Sequence, residues 1–166
     1  MYQKRDGTSM RSRVPKRVPE TLISLKAGLL LFWFAWFAVV FTTNALGGLR
    51  AARRLPQSWR FASKNYEAVV KAVSVYEAPA WLPALLFTGV LAWQLAAAAL
   101  FLAAFVVSCH DGHVATAWAD AAFATGIALW GAFMLADEIT IKYTYEQSHE
   151  LLFIAQLASL VAIHVL

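Results

Sequence analysis

The sequence predicts an all-α protein, a bundle of four transmembrane helices with a short interfacial amphipathic helix between the first and the second. Three observations carry that prediction. Of the 166 residues, 60% are apolar and only 14% are charged, where a soluble domain needs about a quarter of its residues charged to cover its surface. The mean hydropathy is +0.57. The charges that exist gather into flanks and leave four apolar runs between them, and a helical crossing of the hydrocarbon takes about 20 residues. The same composition excludes a disordered chain, a collagen-like repeat and a disulfide scaffold, and the length fits one domain.

Taken in order, residues 1–22 read as a basic cytoplasmic tail carrying Lys4, Arg5, Arg11, Arg13, Lys16 and Arg17, and residues 23–166 as a single transmembrane domain. The first crossing is expected over 23–47, because no residue from Ala27 to Leu49 is charged and Gly47-Gly48 is a helix-ending pair. It is too long for the apolar stretch of a secretory signal and lacks a small-residue cleavage pattern. Next, Ser63 is placed to cap a short helix over 63–77, where Tyr66, Val69, Val70, Val73 and Tyr76 recur at three- and four-residue spacing and Glu67 pairs with Lys71. Trp59 and Phe61, with Arg50, Arg53, Arg54 and Arg60, are then expected among lipid headgroups.

The second crossing, 81–109, opens on Trp81-Leu82-Pro83, with Trp suited to the interface and proline to a first turn. The third, 115–138, contains one acid, Asp120. The fourth, 149–166, has an apolar run from Leu151 to Leu166. Sixteen residues rise only about 24 Å, so this helix spans if His149 and Glu150 sit at the interface. Lys and Arg number seven on the N-terminal side and seven on the other; N-terminus inside is expected because the first helix usually dominates. The one cysteine, Cys109, cannot form an internal disulfide.

Polar groups inside apolar runs are costly and often functional. Gln94 lies nearest mid-membrane and, with Asn44, reads as an interhelical hydrogen-bonding group. Four alternating crossings place His110, Asp111, His113, Asp120 and His164 on the N-terminal side and Asn44, Asp137, Glu138, Glu146 and His149 on the other, so no small site uses both sets. Glu146-Gln147-Ser148-His149 has the Glu-x-x-His spacing of di-iron bundles, but the second copy such a site needs is absent. His110 and His164 share a side yet lie at helix ends, too shallow for axial haem ligands. Ser148, His149 and Glu150 are sequence neighbours, which does not give triad geometry on a helix. A pI near 9.4 with two basic flanks and no binding motif argues against nucleic acid. No catalytic group, cofactor or metal is expected. The cluster best placed for chemistry is the acidic mouth formed by Asp137, Glu138, Glu146 and His149; if the third helix continues through it, Glu138 and Lys142 pair at i, i+4.

Thr43-Asn44, Trp59-Arg60-Phe61-Ala62, Ala92-Trp93-Gln94 and Gly126-Ile127-Ala128-Leu129-Trp130 leading to Asp137-Glu138 follow one another in a particular order. In that order the chain resembles a family of bacterial predicted small integral membrane proteins of unknown function. The resemblance implies a four-helix inner-membrane protein with no assigned activity. The chain departs from the family pattern where Gln94 stands for an acid, Ala136-Asp137 for a glycine pair and Ile139 for a tryptophan. The expected role is a non-catalytic accessory or structural subunit of a larger membrane complex, set among membrane lipids. The alternative is a small homo-oligomeric transporter or ion or proton channel that uses Asp120 or the Asp137, Glu138, Glu146 and His149 mouth.

Overall fold

The computed structural model describes residues 20–141 and 143–166. Most of the basic tail expected over 1–22 therefore lies outside the described residues, while Glu20 already opens the first helix. Five α-helices follow in order: α1 Glu20–Ala51, α2 Asn65–Val73, α3 Leu82–Asp111, α4 Thr116–Thr140 and α5 Glu146–Val165, with a 3-10 turn Ser74–Tyr76 after α2. No strand occurs among the described residues. Helices α1, α3, α4 and α5 are each long and apolar enough to cross a membrane, which fits a multi-pass membrane protein.

Neighbours in sequence are neighbours in space. Helix α1 packs on α3, α3 on α4 and α4 on α5, while α2 lies against α1 and α3. Lipid is as apolar as a leucine side chain, so burial alone does not drive such helices together, and close packing must. The core supplies it by setting rings against alanines. Trp33, Phe37, Phe101, Phe123 and Trp130 are buried beside Ala97, Ala98, Ala104, Ala119 and Ala122. Phe37 stacks on Phe101 at 5.8 Å and on Trp130 at 5.9 Å, and Phe101 meets Phe123 edge-on at 4.9 Å. These rings tie α1, α3 and α4 together, each pair adding about 0.5–1.5 kcal/mol beyond its contact area. Trp33 Nε1 then donates to Ser159 Oγ at 3.1 Å, bringing α1 onto α5.

Three local expectations are corrected, and a fourth falls outside the described residues. Helix α1 runs past Gly47-Gly48 to Ala51, because those glycines make room for neighbours. A Cβ on Gly47 would lie 2.6 Å from the Ser63 carbonyl oxygen, and one on Gly48 would lie 3.1 Å from Phe87. Ser63 is not the capping residue of α2, which is Lys64 with no side-chain bond, although Ser63 Oγ accepts from the Asn65 N–H at 3.4 Å. Helix α4 stops at Thr140, where Ile141 turns left-handed at φ 53° and its N–H returns to the last turn; the Glu138–Lys142 pairing falls on a residue outside those described. Finally, α5 begins at Glu146 rather than 149, giving it 20 residues and about 30 Å, enough to span.

Candidate functional site

The first collection of polar side chains sits where α1, the loop after it and α3 meet. Asn44, 2% exposed, donates from Nδ2 to Gln94 Oε1 at 3.1 Å. Its Oδ1 accepts from Ser63 Oγ at 2.7 Å and from Asn65 Nδ2 at 2.8 Å. One turn and a half further along α1, Arg50 donates to the Ala62 carbonyl at 3.1 Å, to the Ser63 carbonyl at 2.8 Å and to Glu67 at 3.1 Å. Ser63 N–H closes the arrangement on the Thr43 carbonyl at 2.9 Å. Arg50 is thus buried and internally bonded, which corrects its placement among lipid headgroups: the loop folds back along α1 and presents carbonyls where solvent was expected. Glu67 pairs with Arg50 across elements. Arg53, Arg54 and Arg60 are exposed, and no ion pair includes them among the described residues.

The second collection is the end of the α4–α5 hairpin. Asp137, 8% exposed, accepts from His149 Nδ1 at 2.6 Å, a length typical of a charge-assisted bond. His149 lies against Trp130 and Phe133, with ring centroids 6.2 Å and 4.9 Å away. The bond engages the imidazole through Nδ1 and leaves Nε2 on the far edge of the ring. Glu138, Glu150 and Asp137 all face Glu146 electrostatically. Tyr76, from the 3-10 turn after α2, donates to the Ile139 carbonyl and so joins the first loop to this end of the hairpin.

At the other end of the same hairpin, Asp120 pairs with His164 at 2.7 Å, both well exposed. His110 pairs with its neighbour Asp111 at 2.8 Å, so His110 and His164 each hold a carboxylate of their own. Among the described residues no group of three His, Cys, Asp or Glu side chains is arranged to hold a metal. Between the two Asp–His pairs lies Gln156, wholly buried, its amide packed against Gly126, where any Cβ would collide. Its Nε2 and Oε1, with Trp130 Nε1, are the buried side-chain atoms without a hydrogen-bond partner among the described residues.

Some contributors had no clear sequence signal. Ser108, 2% exposed, donates to Ala104 O and accepts from Ala115 N–H at 3.0 Å, so it caps α4 from the previous helix. Nothing local to α4 announces that cap. The role of Arg50 was hidden among four arginines that follow one apolar run, because two of its acceptors are the backbone carbonyls of Ala62 and Ser63, which carry no side-chain signal.

Comparison with known proteins finds no protein-family model, no curated protein and no solved structure that matches the chain. Fold and site together define the class: described residues that are helical without strands, with four segments long and apolar enough to cross a membrane, a bonded polar lock at one loop and an acidic, His-containing cluster at the α4–α5 turn.

Proposed function

We propose that this is a multi-pass protein of the bacterial inner membrane, N-terminus inside, that serves as a non-catalytic accessory subunit of a larger membrane complex. The observation that carries the reading is the position of α5. It rests on α4 with only a slight approach to α1, and Leu151, Ile154, Leu157, Val161 and Val165 project outward from it. A helix held along one side offers a long apolar surface to a partner helix, where association in lipid depends on packing rather than on escape from water. Helix α2 belongs to the same picture as an interfacial element. Its Lys64, Glu67 and Lys71 are exposed, while Tyr66 sets its ring edge-on to Phe87 of α3 at 5.3 Å. Purification in mild detergent is expected to bring a membrane partner down in fixed proportion; a lone monomer under those conditions overturns the reading.

One observation favours a second role. The Asp137–His149 pair with Glu138, Glu146 and Glu150 around it would collect protons or cations at a membrane face, as a small oligomeric channel or transporter requires. Glu138 is exposed, so Glu138→Gln should remove that attraction without disturbing the fold. Reconstituted into liposomes, the variant is expected to lose most of any proton or cation flux the parent shows; equal flux takes Glu138 out of the mechanism.

A further inference from the structure

The chain after α1 does not leave the helix. It turns back, so that Ser63 is bonded to the Thr43 carbonyl, eight residues below the end of α1 at Ala51. In doing so it hangs Trp59 and Phe61 over one face of α1 and encloses an open-sided groove of about 350 Å³ with Val39, Thr42, Thr43 and Leu46 on its floor. Despite the two threonines the groove is apolar: Thr42 Oγ1 is spent on Ala38 O at 2.7 Å and Thr43 Oγ1 on Val40 O at 3.1 Å, which turns their methyl groups outward. Val39 is 62% exposed and Phe61 73%, so the groove opens sideways from the bundle. Arg60, the residue between Trp59 and Phe61 in the sequence, is exposed and outside every ion pair among the described residues.

Depth along α1 says what surrounds this groove. If Lys26 marks one interface, a rise of about 30 Å, or roughly 20 residues, reaches the other, which is the level of Leu46. The groove then runs through the last part of the hydrocarbon just beneath the interface, a depth from which a long arginine side chain reaches the headgroups. We infer that this groove is a binding site for one anionic phospholipid. An acyl chain lies along Val39, Thr42 and Leu46 beneath Trp59 and Phe61, and the phosphate is held by Arg60. Arg50 takes no part, because its donors are committed to the loop. The charge of the rim is what singles out a lipid over a second copy of the chain. The inference stands apart from the accessory-subunit reading, since a lipid can occupy the groove whether or not a partner covers α5.

The test is native mass spectrometry of the full chain in mild detergent, titrated with phosphatidylglycerol or with phosphatidylcholine. The parent is expected to keep phosphatidylglycerol roughly fivefold better, the ratio that one basic side chain near an anionic surface contributes. Arg60→Gln should bring the two lipids to parity. Val39→Trp, which fills the groove from an exposed position, should lose the bound lipid altogether. Anionic preference that survives Arg60→Gln, lipid retained by Val39→Trp, or a groove filled instead by a second copy, seen as a dimer that Val39→Trp dissociates, each overturns the inference.

Discussion

Arg50 carries its charge at 7% exposure and still satisfies three acceptors from the loop it faces. Removing one partner of such a set costs more than forming it contributes, because the carbonyls of Ala62 and Ser63 would be left buried without a donor. Glu67 is half exposed, so water compensates that side and the ion pair itself adds little. Arg50→Leu is therefore expected to destabilise the protein by about 3 kcal/mol and to lower its thermal unfolding midpoint in detergent by roughly 6–12 °C. Arg60→Gln, on the exposed rim, should move it by no more than about 2 °C. Equal shifts would mean that the loop does not depend on Arg50. The sequence could not separate these arginines. All four follow an apolar run and look alike until the path of the backbone decides which one meets carbonyls and which stay exposed.

Among the elements, the apolar helices were legible because charge spacing is a property of the chain itself, and each boundary moved by only a few residues. What failed were the signals whose meaning depends on a neighbour. Gly47-Gly48 has the composition of a helix end, yet α1 continues through it, since the space those glycines leave is filled by Ser63 and Phe87. Ser63 has the composition of a helix cap, yet its hydroxyl donates to Asn44 and meets α2 only through a long bond from the Asn65 N–H. The end of α4 shows the converse. Ile141 is a poor residue for a left-handed position, being β-branched, and no local preference marks a stop there; the Tyr76 bond to the Ile139 carbonyl holds that end from a distant segment. The same holds for the candidate mouth. Its acids were visible as a cluster, whereas the Asp137–His149 pair formed only when α4 and α5 were laid side by side, 12 residues apart in sequence. Gln156 and Gly126 were likewise ordinary until the packing set one into the space left by the other.

For the whole molecule, four crossings would return the chain to the side it started from, and the tied count of Lys and Arg leaves the choice of side to the first helix. The single cysteine makes that choice measurable. Cys109 is exposed in the last turn of α3, on the side where α1 begins, whereas Arg60 lies in the loop on the opposite side. With the N-terminus inside, a membrane-impermeant maleimide added to spheroplasts should leave Cys109 unlabelled until the membrane is opened. Arg60→Cys in a Cys109→Ala background should label at once. The reverse pattern would turn the protein over, and labelling of both from one side would break the four-crossing topology. Orientation then decides more than a label. With the N-terminus inside, the Asp137–His149 mouth opens on the outer face, the side from which the membrane potential drives protons inward at about 2.3 kcal/mol per charge for each 100 mV. In the reverse orientation the same acids would face the cytoplasm, and an inward flux through them would have to start at Asp120 and His164 instead.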